Sequence, residues 1–318
     1  MRIRRAVAAL AAALGVAGLV AGSGVAGAQP AERAAAERER AGLRILVSND
    51  DGYRHPYIHR LRDALAAAGH TAVIVAPAED QSGRGTGLNF TSGATVRAVE
   101  AEPGVWSVTG SPGDAVAFGA ERVLKDPDLV VSGVNAGPNT GTSANHSGTV
   151  GATVMAQDLG IPALAVSAGY DLSNPQDPFP SVPQAVAFTV RTVERLARTA
   201  PRGAALLPAH ASLNVNYPAK PADGGRLAFT NVGHAREITR SFEPDPAGCA
   251  ECYKVRLGVA PDAPEPVPNA DTSALRRGDV SVSLLTGDWN APEWAEGRPP
   301  PSSPDVRRTQ SRLLGLRP

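Results

Sequence analysis

The chain has 318 residues, 42% of them apolar, which suffices for one large domain or two small ones around a sizeable core and excludes disorder as a description of the whole. Its formal charge of zero hides a split, because Arg2, Arg4 and Arg5 precede residue 29, where there is no acid. Removing these three from the 31 basic residues leaves 28 against 31 acidic ones, so the body of the protein has no electrostatic footprint for duplex nucleic acid.

Residues 1–28 read as an export signal: a basic start, an apolar stretch from Ala6 to about Val20, then Ala26-Gly27-Ala28 as an A-x-A cleavage pattern. The apolar stretch is rich in Ala and Gly and barely long enough to span a membrane, so cleavage is favoured over anchoring. The Arg4-Arg5 pair matches a twin-arginine signal poorly. No other stretch is apolar enough to cross a membrane, and the mature protein is predicted to be soluble and extracytoplasmic, in the periplasm or cell envelope or secreted. Residues 29–42, Ala and charge for the most part, read as a linker or a frayed helix, and the main domain is predicted over 43–297.

Apolar runs of strand length follow at Arg44–Ser48, Thr71–Ala76, Asp128–Val131 and Ile161–Val166. They do not alternate with polar residues, as expected of strands buried on both faces. Between them "PYIHRLRDALAAAG", "GDAVAFGAERVL" and "SGTVGATVMAQDLG" carry helical spacing, and "GSPGD" offers Ser111 as a cap with Pro112 at the first helical position and Asp114 closing a capping box. A further helix is predicted over Val182 to Ala200 and a strand at "SLNVNYP". This order predicts an α/β fold, a Rossmann-like, mostly parallel sheet with helices on both faces. Residues 219–270, rich in Pro, Gly and Asp, read as an irregular, hairpin-rich extension. "DTSALRRGDVSVSLLTGDW" reads as a short helix, a turn and a strand, and 298–318 as a disordered tail.

Each apolar run ends in a polar, Gly-rich cluster: "SNDDG", "PAEDQSGRGTG", "SGVNAGPNTG" and "SAGYD". In an open parallel sheet these ends share one edge, where ligands bind. The adjacent acids Asp50 and Asp51, with a serine hydroxyl and an asparagine amide oxygen nearby, would make a hard oxygen set suited to Mg²⁺ or Mn²⁺ rather than zinc. Taken alone, Asp50-Asp51-Gly52 fits a hairpin turn as well as a metal site, although a helix rather than a second strand follows. In "NHSGTVGATVMAQDLG", Ser147 can cap a helix whose free N–H groups would favour an anion, or it is an ordinary cap. His146 could donate a proton there or face solvent. Cys249 and Cys252, a lone C-x-x-C in an exported chain, are expected to form a structural disulfide. No dinucleotide fingerprint, Walker A sequence or nucleophile elbow is present.

Together "ILVSNDDG", "VIVAPAEDQSGRG", "VTGSPGDAVAFG", "PDLVVSGVNAGPNTG", "HSGTVGATVMAQDLGIPALAVS", "LNVNYP" and "DTSALRRGDVSVSLL" resemble the SurE family of metal-dependent nucleotidases over roughly residues 44–290. The resemblance implies one divalent ion, Mg²⁺ or Mn²⁺, held by Asp50, Asp51, Ser82 and Asn135. It implies phosphate binding by Ser147, Gly148 and Thr149, with Asn49 and Asn139 lining the same pocket, and Asp50 and Asp51 as the catalytic pair. It further implies a small nucleotide as substrate, 5′ or 3′ phosphate cleavage by metal-activated water, and a homodimer or homotetramer built by exchange of C-terminal elements. Two departures stand out: "YRHPYI" follows Asp-Asp-Gly, with Tyr57 at a family glycine, and His146 stands where Tyr is common. The alternatives are a broad-specificity acid phosphatase, an enzyme with an aspartyl nucleophile, whose acids are usually one residue apart, and an exported nucleotide- or anion-binding protein without turnover.

Overall fold

The computed structural model describes residues 42–287 except 202, 203 and 224. The predicted export signal, the linker before Gly42 and the predicted tail lie outside the described residues.

The elements in chain order are β1 (Arg44–Ser48), α1 (Pro56–Ala67), β2 (Thr71–Pro77), β3 (Ala98–Glu102), β4 (Val105–Val108), α2 (Pro112–Phe118), β5 (Leu129–Ala136), α3 (Gly148–Asp158), β6 (Ala163–Ala168), α4 (Val182–Thr199), β7 (Ala211–Tyr217), β8 (Leu227–Thr230), β9 (Ile238–Pro244), β10 (Tyr253–Val259), α5 (Asp271–Arg276) and β11 (Val280–Thr286). Nine of the described strands form one sheet in the order β3-β4-β2-β1-β5-β6-β7-β11-β8, and β9 pairs β10 in a separate antiparallel hairpin. From β4 to β7 every pairing is parallel, while β3 and β11 run antiparallel to β4 and β7.

Helices cover both faces of the sheet. Ile45, Val47, Leu129 and Val131 pack against Ile58, Leu61 and Leu65 of α1 and Val182, Ala185 and Val193 of α4. The alternate residues Leu46, Val75 and Val130 meet Ala115 and Val116 of α2 and Ala152 and Ala156 of α3. Each central strand therefore buries both of its sides, which explains the unbroken apolar runs. The cap at α2 forms as read: Ser111 Oγ accepts from Asp114 N–H, and the Asp114 carboxylate accepts from Ser111 N–H.

Strand β5 runs to Ala136, beyond the predicted Val131, because pairing with β6 continues past a register shift between Ser132 and Asn135. Gly133 makes that shift possible. Its φ is +134°, and a Cβ there would lie 2.3 Å from Val166 O. The hairpin β3–β4 and strand β9 carried no readable signal. Glu100, Ala101 and Glu102 are exposed, and β9 is exposed throughout, so no apolar alternation marks them.

Two carboxylates fasten the segments around α5. Asp271, fully buried, accepts from the N–H groups of Gly141, Gly233 and Thr272. Glu265 accepts from the N–H groups of His234, Ala235 and Val267 and from the Thr272 hydroxyl. Burial works against the ionised Glu265, but these four donors outweigh it and draw its pKa down to about 2.

Candidate active site

The strand order reverses at β1: the chain leaves it for β2 on one side and returns to β5 on the other. A crevice opens outside the carboxyl ends at such a switch point, and Asn49, Asp50 and Asp51 sit there.

Asp50 is only 4% exposed. One carboxylate oxygen accepts from Gly148 N–H at 3.1 Å and the other from the Thr149 hydroxyl, both in the first turn of α3. Ser147 caps the same turn, its hydroxyl accepting from Val150 N–H at 3.1 Å. The positive end of α3 therefore rests on a carboxylate of the chain itself. Gly148 permits the contact, since a Cβ there would lie 2.7 Å from that of Asp50. Burial raises the Asp50 pKa; the hydrogen bonds from Thr149 and Gly148 pull it back, and the charge of Asp80 adds to the rise.

Asp51 has a different environment. Its Oδ2 is buried with no hydrogen-bond partner. Burial first, then the charges of Asp50 and Asp80, raise its pKa to about 7. Asn49 donates through Nδ2 to Gly52 O at 3.0 Å, while its Oδ1 is buried without a partner. Buried oxygens left unpaired beside like charges are costly, and a hard divalent cation would relieve them. Among the described residues no three His, Cys, Asp or Glu side chains form a metal cluster; a set of two acids, a serine and an asparagine contains only two residues of those types.

Ser82 lies in the exposed loop after β2, its N–H donating to Asp80 Oδ1 at 2.8 Å. The N–H of the residue before it, Gln81, donates to Asp50 O at 2.7 Å and draws this loop to the acid pair. The loop is fixed from the other side as well: Gly85 N–H donates to His146 O, and a Cβ on Gly151 would lie 2.0 Å from Gly85 O. Asn135 stands near the end of β5, opposite Ser167 of β6, with its Nδ2 donating to Gly137 O at 2.7 Å and its Oδ1 left as acceptor. Asn139 is nearly buried. Its Nδ2 donates to Ser167 Oγ, its N–H donates to Asn216 Oδ1, and its carbonyl accepts from Asn214 and Asn216.

The structure thus joins Asp50 directly to Gly148 and Thr149 and, through backbone bonds, brings the Ser82 loop beside it. Asn135 and Asn139 share the neighbouring strand ends through Ser167. His146 is exposed. Cys249 and Cys252 are joined as a disulfide in the turn of the β9–β10 hairpin, outside the main sheet. Sequence reasoning missed Asp80, although it stands two residues before Ser82. It also missed Asn214 and Asn216, whose period-two spacing in β7 puts both on one face.

Residues 45–239 match the family model described as "Survival protein SurE". A protein named 5′-nucleotidase SurE from Nitrosococcus oceani is 36% identical over 249 residues, covering 77% of this chain and 92% of that one. A 5′/3′-nucleotidase SurE from Photorhabdus laumondii is 35% identical, with coverage of 78% and 92%. The crystal structure of the SurE protein from Aquifex aeolicus superposes with a TM-score of 0.61 at 30% identity, covering 77% of this chain and 94% of its own.

Proposed function

The chain belongs to the SurE family, and from that premise we propose that it hydrolyses phosphate monoesters, nucleoside monophosphates above all, at the carboxyl edge of its sheet. It is a phosphoric monoester hydrolase of the 5′-nucleotidase type. One observation carries the reading at the level of residues: a buried, unpartnered Asp51 oxygen beside Asp50, which α3 holds by its first turn.

Asp50, Asp51, Ser82 and Asn135 would hold one divalent ion, Mg²⁺ or Mn²⁺. Bound there, the ion would draw charge from a phosphoryl oxygen and make a water more acidic. Asp50 is fixed by two donors and serves as a rigid ligand. Asp51 keeps a carboxylate oxygen free of hydrogen-bond donors and orients the attacking water. The first turn of α3, with Ser147, Gly148 and Thr149, borders the crevice beside Asp50, and the substrate's phosphate would lie against it. Among the described residues no histidine hydrogen-bonds a Ser, Thr or Cys side chain, so no activated nucleophile of that kind competes, and direct attack by water is the favoured route.

The mature protein acts outside the cytoplasm after removal of residues 1–28. It works as a homodimer or homotetramer, a reading supported by the exposed Phe229, Phe242, Tyr253 and Leu257 on β8–β10. Phosphate release from p-nitrophenyl phosphate and a nucleotide panel, with Mg²⁺, Mn²⁺ or EDTA, tests the proposal. Release with metal and none with EDTA is expected. Nucleotide binding without release under any condition would refute turnover.

A further inference from the structure

We infer that Asn216 is a positioning residue: its amide grips the main chain of Asn139 and so fixes where the Asn139 side chain meets the substrate's phosphate. The inference rests on the phosphatase reading above and names the residue that shapes one wall of that site from beneath.

Asn139 belongs to the segment that leaves Asn135 near the end of β5, passes through a 3₁₀ turn (Gly141–His146) and enters the first turn of α3, which holds Asp50. Among the described residues its main chain bonds to no other main chain; every hydrogen bond goes to a side chain of β7. Asn216 Oδ1 accepts from Asn139 N–H at 2.7 Å, and Asn216 Nδ2 donates to Asn139 O at 3.2 Å. Asn214 Nδ2 donates to the same carbonyl at 2.8 Å. Asn216 thus meets both backbone groups of one residue, as a neighbouring strand would, and Pro138 just before has no N–H to add. The Asn139 amide donates from Nδ2 to Ser167 Oγ at 2.9 Å. Ser167 stands in register between Asn135 of β5 and Asn216 of β7, so these three share a row and Asn139 is bonded to two of them. In the first turn of α3, Gly148 N–H and the Thr149 hydroxyl are spent on Asp50. Asn139 Nδ2 gives one hydrogen to Ser167 and keeps a second for a phosphate oxygen.

Stability alone does not account for this arrangement. On one side of β7, Leu213 and Val215 join the apolar cluster of α1 and α4. On the other, Ser212 bonds to Gln157 and Thr153 of α3, and Asn214 and Asn216 follow it at period two, fully buried. Two amides taken out of water are costly, and Asn214 also keeps a buried Oδ1 with no partner. Apolar side chains would avoid these costs but leave Asn139 unheld. Of the two asparagines, Asn216 matters more. Without Asn214 the Asn139 carbonyl keeps a donor, whereas without Asn216 its N–H loses its acceptor.

The test measures kcat and KM for p-nitrophenyl phosphate, inorganic phosphate binding by calorimetry, and Tm, all with Mn²⁺ and at a temperature where each variant is folded. The variants are Asn139→Ala, Asn216→Ala, Asn216→Ser, Asn214→Ala, each Asn216 change combined with Asn139→Ala, and Gln157→Ala. Gln157 is buried in the last turn of α3 and shows what lost stability does by itself. Asn139→Ala should weaken phosphate binding and raise KM by about tenfold, as for one lost bond to a charged group, with kcat less affected. Asn216→Ala should reach the same range, and Asn216→Ser and Asn214→Ala should lose less. The double variant should be no worse than Asn139→Ala, because Asn216 acts through a side chain already removed; independent effects would multiply to about 100-fold. Gln157→Ala should lower Tm and keep wild-type phosphate affinity. Wild-type phosphate affinity in Asn139→Ala or Asn216→Ala, multiplied losses in the double variant, an equal loss in Gln157→Ala, or no phosphate binding by wild type would overturn the inference. If Asn216→Ala does not fold, Asn216→Ser decides the same comparison in both backgrounds. The two readings fail separately. Absence of turnover in wild type sinks the hydrolase proposal while calorimetry still decides Asn216, and turnover with unaffected Asn216 variants sinks this inference alone.

Discussion

Asp50 and Asp51 are neighbours in the chain with unlike surroundings: one carboxylate is fully engaged by α3, and the other keeps a buried oxygen without a donor. Replacing Asp51 with Asn should reduce phosphate release from p-nitrophenyl phosphate with Mn²⁺ by about 100-fold or more, while the circular dichroism spectrum stays unchanged. The same variant should raise the Tm of metal-free protein at pH 7. The sign follows from the raised pKa, about 7 folded against 3.8 for the free carboxyl. Between those values the folded state binds the extra proton, so metal-free stability falls as pH rises through the window, and Asn removes that loss. A flat wild-type Tm from pH 5 to pH 7 in EDTA would contradict this. Thr149→Val takes one donor from buried Asp50 and should cost about 1–3 kcal/mol in denaturant unfolding. The acid pair was legible because adjacent carboxylates after an apolar strand are conspicuous. Asp80 was not, because its effect depends on how the next loop folds back.

At the level of elements, α3 does most to assemble the crevice. Its glycines let it touch the chain on two sides, at Asp50 through Gly148 and at the Ser82 loop through Gly151. Gly151→Ala would push the backbone of Gly85 away and should cost about 1–3 kcal/mol, with a fall in activity larger than that of an alanine at an exposed α3 position such as Asp158; equal activities would show that the loop tolerates displacement. The five helices and the central strands were readable because their burial imposes a pattern, two-sided for β1 and amphipathic for α4 with Val182, Ala185, Val186, Thr189 and Val193 inward. Strands β3 and β9 were not, since they bury no side chain and pairing partners hold them in place, and β4 was not because its four residues, with only Val105 and Val108 buried, are too short to show a pattern.

Across the whole molecule, sequence segments from residue 49 to residue 216 meet at one sheet edge because parallel strands put like ends together. That convergence was legible from the repeated polar clusters, whereas the web joining Asn139, Ser167 and Asn216 requires the register to be known. The outer segments depend on Glu265. Its folded pKa of about 2 lies below the ordinary 4.5, so its stabilisation is present above pH 4.5 and is lost as pH falls toward 2. Glu265→Gln should therefore lower Tm at pH 7 and narrow its gap to wild type on acidification toward pH 3, as scanning calorimetry can measure. A gap independent of pH would mean that the carboxylate charge plays no part.

The place of β11 between β7 and β8 has a consequence for synthesis. Leu227–Thr230 leave the ribosome some fifty residues before the strand they pair with, so β8 must wait undocked for Val280–Thr286. A product truncated just before Val280 would expose the free hydrogen-bonding rim of β7, the kind of surface that recruits other chains into aggregates.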